Sequence, residues 1–114
     1  MKKLAMLAAA ALLPLAAAAQ TPPAPGDPNK GAQKVAMCQG CHGIVGWRTA
    51  FPEVYRVPKL SGQSPAYLIA ALKEYKSGDR GHPTMRAIAA SLSDDDMANL
   101  AAYFALTPLT TAAQ

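Results

Sequence analysis

The chain has 114 residues, of which 51% are apolar, with 11 Lys and Arg against 7 Asp and Glu and a formal net charge of +4. Two of the lysines lie in the first 19 residues, so the charge of the remainder is only +2. A nucleic-acid partner requires clustered Lys and Arg, which are dispersed here, so nucleic acid is excluded as the main partner. The remaining residues, about 95 of them, fit one domain, at a size where a disulfide, metal or cofactor often supplements the core.

Residues 1–19 have the layout of a cleaved secretory signal peptide. Lys2 and Lys3 precede an apolar run that is interrupted by Pro14 and ends in small residues. Because a membrane-spanning helix needs about 20 apolar residues, this run is too short to span, and we expect export to the periplasm without stable membrane insertion. The proline-rich residues 20–28 should form a flexible lead-in.

The first helix is predicted where Asp27 and Pro28 combine an N-cap residue with proline at the first helical position. Apolar residues at helical spacing follow, and they extend this helix to about Cys38. Residues 43–62 show no sustained period and contain several glycines and prolines, so they should form an irregular loop.

Three further helices are predicted in the second half. Ser64 and Pro65 repeat the cap-and-proline pattern and begin a helix that ends before Gly78. A short helix should span residues 85–92, and Ser93 should cap the last one, with Asp96 at the capping-box position. No strand pattern of useful length is present, so residues 29–107 should form an all-α domain of three to four short helices, followed by a frayed tail at 108–114.

The motif that carries chemistry is Cys38-Gln39-Gly40-Cys41-His42, the C-x-x-C-H arrangement of covalent haem attachment. Two thiols three positions apart near a helix end can add to the two vinyl groups of one porphyrin, and the adjacent histidine then faces the iron. The motif therefore predicts one haem c, attached through Cys38 and Cys41, with His42 as an axial ligand. Such a cofactor would give the short helices a common object to pack on.

Two other uses of these cysteines compete with haem attachment. A zinc site could draw on Cys38, Cys41, His42 and His82, but the usual pair spacings of a closed tetrahedral site are absent. A thioredoxin-like dithiol would sit in a βαβ context, and no strands are predicted.

The second axial ligand is chosen among three methionines and a histidine. Met37 adjoins the attachment motif and cannot reach across the porphyrin, and Met97 belongs to the apolar stripe of the last helix. Met85, at the end of a Gly/Pro-rich loop, is our predicted ligand, while His82 remains the alternative because imidazole also binds iron. Methionine opposite histidine would raise the reduction potential relative to two histidines.

The ordered set of these features resembles the class I c-type cytochromes, in particular the small monohaem proteins of the bacterial periplasm. The resemblance runs from about Asn29 to Phe104. It rests on Gly31 seven residues before Cys38, the attachment motif, the segment 58–63, Met85 and the Tyr103-Phe104 pair. It implies a cytochrome c fold, with the short helices wrapped around one covalently attached haem.

The resemblance also assigns roles to individual residues. Gly31 should let the first helix cross the last one closely, opposite Tyr103 or Phe104. The carbonyl of Pro58 should accept a hydrogen bond from the second ring nitrogen of His42. Leu60 should pack on the haem face.

The loop at residues 44–56 is longer than in the shorter relatives. It carries side chains that could donate to haem propionates or could instead be surface charges and core aromatics. Two more arginines flank the Met85 loop and could bind the same propionate carboxylates or line a docking face. The residues concerned are Trp47, Arg48, Tyr55, Arg56, Arg80 and Arg86.

The expected function is that of a periplasmic electron carrier in a respiratory chain, cycling between Fe(III) and Fe(II), and not that of an enzyme. Its partners would be a donor reductase or dehydrogenase and an acceptor oxidase or reductase, and the protein itself a monomer or weak dimer. Two alternatives stay open: a haem-based sensor or peroxide-reactive cytochrome with a labile methionine, and a cytochrome subunit of an oxidase or dehydrogenase complex.

Overall fold

The computed structural model of the chain describes residues 25–51 and 54–107. The expected signal peptide at 1–19, most of the lead-in and the tail at 108–114 lie outside these residues, so they and the domain limits stay predictions. Within the described ranges, no helix has the length and apolar character needed to cross a membrane.

The described residues form five helices and one small antiparallel sheet, which makes the fold all-α in class. The helices are α1 (Pro28–Lys34), α2 (Ala36–His42), α3 (Pro65–Ser77), α4 (Pro83–Ala90) and α5 (Asp94–Leu106), and the strands are β1 (Arg48–Thr49) and β2 (Tyr55–Arg56). The predicted fold class is confirmed. The expected number of three to four helices is too low for the part of the chain that is described.

The first predicted helix is in fact two helices, which meet at Val35. The Val35 carbonyl accepts from the amide of Cys38 at 2.9 Å as well as from that of Gln39 at 3.0 Å. The bond to Cys38 spans three residues and tightens the chain locally, so the α-helical ladder is interrupted. The prediction of one helix ending near Cys38 was wrong, because α2 continues to His42 and contains the whole attachment motif.

The loop predicted to be irregular contains the sheet. Arg48 lies opposite Arg56 and Thr49 opposite Tyr55, and the amide of Val57 extends the pairing by donating to the carbonyl of Trp47 at 3.0 Å. Strands of two residues are too short to show an alternating pattern, which explains why the sequence did not reveal them.

The boundaries of α3 and α5 agree with the sequence predictions. The Ser64 side chain caps α3, which ends at Gly78 with φ of 95°, a left-handed conformation that glycine adopts without strain. Both hydrogen bonds of the capping box between Ser93 and Asp96 are formed at the start of α5. Helix α4 begins two residues earlier than predicted, at Pro83.

The core is built on α5. Met97 and Leu100 are among its most buried side chains, and Cys38 and Leu60 pack against the cluster while remaining partly exposed. The complete cluster consists of Val35, Leu68, Ile69, Leu92, Met97, Leu100, Ala101 and Phe104. The attachment motif and the segment around Leu60 therefore both pack against the same core cluster.

Helix α1 crosses α5 at Gly31. A Cβ added to this glycine would lie 2.8 Å from the Cβ of Tyr103 and in still closer contact with the backbone of Asn99. Only a residue without a side chain allows this approach, so the close crossing expected from the family resemblance is confirmed.

Candidate haem-binding site

His42 ends α2 and is oriented by the backbone of Pro58. Its Nδ1 lies 2.6 Å from the Pro58 carbonyl oxygen. Because a carbonyl oxygen only accepts hydrogen bonds, Nδ1 must carry the proton, and the neutral ring then has a free lone pair on Nε2. Metal-ligating histidines commonly show this arrangement, in which the second nitrogen donates to a carbonyl and fixes the ring. The hydrogen bond expected between these two residues is present.

The Pro58 carbonyl is held in place by the turn that follows it. The amide of Gln63 donates to the carbonyl of Leu60 at 3.1 Å, and Gly62 within this turn has φ of 75°. The amide of Gly62 donates in turn to the carbonyl of Phe104 at 2.9 Å. The segment that orients His42 is thus tied to the end of α5.

The two cysteines of the motif lie on the same short helix as His42. Cys38 and Cys41 are both partly buried and are not joined in a disulfide. Burial raises the pKa of the Cys38 thiol. A dithiol redox pair depends on a lowered thiol pKa, so this environment does not favour that chemistry. Among residues 25–51 and 54–107, no group of three or more His, Cys, Asp and Glu side chains is arranged to hold a metal ion.

Met85 is partly buried in the first turn of α4, where its backbone is held by His82. The amide of Met85 donates to Nδ1 of His82 at 3.3 Å, so this nitrogen acts as the acceptor that caps the helix. A neutral ring whose Nδ1 accepts must carry its proton on Nε2. His82 therefore has no free lone pair in this geometry, and it could bind iron only after giving up the cap.

The remaining methionines near the motif are placed differently. Met97 is fully buried in the core, as the sequence predicted, and so it packs against other apolar side chains. Met37 is 44% exposed and belongs to α2, the helix that also carries His42. Among these three methionines, Met85 is the one that is partly buried and lies neither on α2 nor in the core.

The charged and aromatic side chains of the long loop are exposed. Arg48 and Arg56 lie directly opposite one another on β1 and β2, where like charges repel unless an anion lies between them. Trp47 and Tyr55 are about half exposed, so the reading of them as core aromatics does not fit the described structure. This placement suits carboxylate binding by the hairpin, which stays a prediction.

Arg80 is occupied by contacts within the protein. Its guanidinium group lies over the ring of Tyr75, 5.0 Å from the centroid, and donates to the hydroxyl of Tyr67 at 3.3 Å. The hydrogen bond that Arg80 donates to Tyr67 is the main cause that raises the pKa of Arg80. These contacts brace the loop between α3 and α4, which leads directly to His82.

The surroundings of the motif fit a large apolar group such as a porphyrin. Most of the large apolar side chains that are exposed belong to the segment from Met37 to Tyr67, which follows or includes the attachment motif. They are Met37, Ile44, Val45, Trp47, Phe51, Val54, Tyr55 and Tyr67. Exposed apolar side chains concentrated in one stretch of the chain beside the attachment motif are compatible with a binding surface. Two thiols, an imidazole with a free Nε2 and these apolar side chains together supply what covalent haem attachment requires.

Sequence reasoning missed the role of His82 as a helix cap. Asp27-Pro28 and Ser64-Pro65 were recognised because Asp and Ser are common N-cap residues. His82-Pro83 has the same form, and the proline at the first helical position was the pattern that could have located the start of α4.

The fold and this site define a c-type haem protein, and comparison with known proteins identifies the family. The family model for cytochrome c matches residues 28–106. The chain therefore belongs to the cytochrome c family, and haem c, bound through Cys38 and Cys41, is its cofactor.

Individual relatives extend this result. The chain is 40% identical over 82 residues to cytochrome c4 of Pseudomonas aeruginosa, a match covering 72% of this chain and 39% of that protein. It is 39% identical over 82 residues to cytochrome c-554(548) of Halomonas halodenitrificans, with 69% of this chain and 94% of that protein covered. The crystal structure of reduced cytochrome c4 from Pseudomonas stutzeri superposes with a TM-score of 0.58 at 35% identity, covering 73% of this chain and 46% of that one. The chain thus spans less than half of the cytochromes c4 and nearly all of the Halomonas protein.

Proposed function

We propose that the chain is a periplasmic single-electron carrier whose haem iron is bound by His42 and Met85. Membership of the cytochrome c family supports electron transfer as the general activity. The haem supplies an iron that accepts and releases one electron. His42 and Met85 would both hold the iron, which would leave no position there open to a small ligand.

The observation that carries this proposal is the opposite hydrogen bonding of the two histidines. His42 donates through Nδ1 to the Pro58 carbonyl, which leaves Nε2 free for iron. His82 accepts through Nδ1 from the Met85 amide, which places its proton on Nε2. One histidine is therefore prepared for metal binding and the other is used as a helix cap, which favours methionine as the second ligand.

Rigid support for both ligands is what an electron carrier needs, since a ligand that moves between oxidation states slows electron transfer. The Pro58 segment is anchored to α5 through Gly62 and Phe104. The Met85 turn is anchored through the cap of α4. Both anchors are hydrogen bonds between groups of the protein itself.

Its partners would be redox proteins, namely a donor reductase or dehydrogenase and an acceptor oxidase or reductase of a respiratory chain. Encounters of this kind use small, weak interfaces, which fits a monomer or weak dimer. The exposed apolar and arginine side chains of the hairpin offer a surface for such contacts. The layout of residues 1–19 supports export to the periplasm.

A substitution of Met85 tests this proposal. Met85→Ala should remove the weak far-red methionine-to-iron band of the ferric protein, lower the midpoint potential and accelerate cyanide binding. Met37→Ala is the matched control, since Met37 is exposed and lies on the helix of the proximal motif; it should leave all three properties unchanged. A Met85→Ala protein that keeps the far-red band, or a wild-type protein that binds carbon monoxide rapidly at neutral pH, would contradict the proposal and favour a sensor or peroxide-reactive cytochrome.

A further inference from the structure

His82 lies where three elements meet. Its ring contacts Tyr55 of β2 edge to face at a centroid distance of 5.4 Å and Tyr75 of α3 at 6.4 Å. Its own position is the N-cap of α4. The ring thus joins the hairpin and α3 to the first turn of the helix that carries Met85.

The cap acts directly on the backbone of Met85. Pro83, the first residue of α4, has no amide hydrogen, and the side chain of His82 accepts from the amide of Met85, the third residue. The backbone carbonyl of His82 accepts from the amide of Arg86 at 2.9 Å. If the side-chain bond is lost, the first turn of α4 frays more often, and Met85 moves with it. An N-cap of this kind typically changes the helix equilibrium about fivefold.

We infer that His82 is a positioning residue, which holds Met85 at the iron by capping α4 through Nδ1. This inference rests on the proposed function, because it requires Met85 to be the second axial ligand. The contribution is made by the acceptor atom at Nδ1, and the contacts of the ring with the tyrosines orient that atom.

Two substitutions separate the acceptor from the ring. His82→Asn keeps an acceptor, Oδ1, three bonds from Cα as Nδ1 is, and asparagine is among the best N-cap residues. His82→Phe keeps a ring that can contact Tyr55 and Tyr75 but has no acceptor. Ser93→Ala is the control, because it removes the N-cap of α5, a helix that carries no proposed iron ligand.

The measurement is the rate of cyanide binding to the ferric holoprotein at fixed pH, together with its far-red band. Cyanide enters only when Met85 leaves the iron, so this rate reports how often the ligand is released. We expect the wild-type rate in His82→Asn and in Ser93→Ala, and a rate about fivefold higher in His82→Phe, with the band retained in all three. A thermal melt of each variant should show that Ser93→Ala lowers stability without changing the rate.

Three results would each overturn the inference. If His82→Phe binds cyanide at the wild-type rate, or if Ser93→Ala accelerates binding as much as His82→Phe does, the effect of His82 on Met85 is absent or merely reflects general stability. If His82→Asn is as fast as His82→Phe, the acceptor atom is not what holds the ligand. By contrast, a wild-type protein without the far-red band would contradict the ligation by Met85 itself, so the two failures are distinguishable.

Discussion

The crossing of α1 and α5 at Gly31 allows a quantitative test of the packing that supports the haem motif. In Gly31→Ala, the new Cβ would lie 2.8 Å from the Cβ of Tyr103 and closer still to the backbone of Asn99, so the two helices must separate. Overpacking of this kind costs about 1–3 kcal/mol, and the upper part of this range applies where backbone has to move.

Gly40→Ala provides the matched control. Gly40 is also inside a helix, α2, but a Cβ added there would have no atom within 4 Å. Replacing a helical glycine by alanine is intrinsically favourable by about 1 kcal/mol, and this gain is common to both variants. The difference between the two therefore isolates the steric cost, which we expect to be about 2–3 kcal/mol.

Thermal unfolding of the holoproteins, followed by far-ultraviolet circular dichroism, measures this difference. For a domain of this size, it should place the Tm of Gly31→Ala roughly 10–20 °C below that of Gly40→Ala. Equal melting temperatures, or a more stable Gly31→Ala protein, would refute the reasoning, because they would show that the helices do not approach as closely as the structure indicates.

Two further predictions concern α5. The hydrogen bond from Lys34 lowers the pKa of Asp96 from 3.8 to about 2, so the stability that the ionised carboxylate contributes is present above pH 4 and is lost as the pH falls towards 2. Asp96→Asn should therefore make the fall of Tm between pH 4 and pH 2 shallower, and an unchanged slope would exclude this ion pair as a source of acid sensitivity. Met97→Leu should cost less than about 1.5 kcal/mol in denaturant unfolding and leave the far-red band intact, since Met97 is a core residue, and loss of the band would contradict that assignment.

Local chemistry explains why α3 and α5 were predictable. Ser64 with Pro65 and Ser93 with Asp96 satisfy the free amides of a first helical turn, and these interactions depend on neighbouring residues alone. Gly78 likewise ends α3 because its own backbone adopts a left-handed conformation. Such features are determined within a few residues of the chain, so the sequence shows them.

The features that were missed depend on contacts between distant segments. The break at Val35 follows a stretch with good helical spacing, and the residues themselves do not indicate it. The pairing of Arg48 with Arg56 brings two like charges together, which local preferences oppose. The capping role of His82 is associated with ring contacts to Tyr55 and Tyr75, which lie in other elements.

In the candidate site, too, some features are determined by neighbouring residues and others by contacts between distant ones. The spacing of Cys38, Cys41 and His42 indicates haem attachment from the sequence alone, because covalent attachment to one porphyrin requires that spacing. The hydrogen bond from His42 to Pro58 joins residues 16 positions apart, and it was expected from the family resemblance rather than from the local sequence. The sequence predicted Met85 as the second ligand with His82 as the alternative, and the hydrogen bonding of the two histidines favours Met85.

The most direct test of the central claim is an optical spectrum of the protein from the periplasmic fraction, recorded reduced minus oxidised together with the far-red region of the ferric form. We expect a haem c spectrum that changes on one-electron reduction, and a weak far-red band from methionine bound to the iron. A spectrum without haem c, or a ferric protein that lacks the far-red band, would show that the protein is not an electron carrier with His42 and Met85 as its iron ligands.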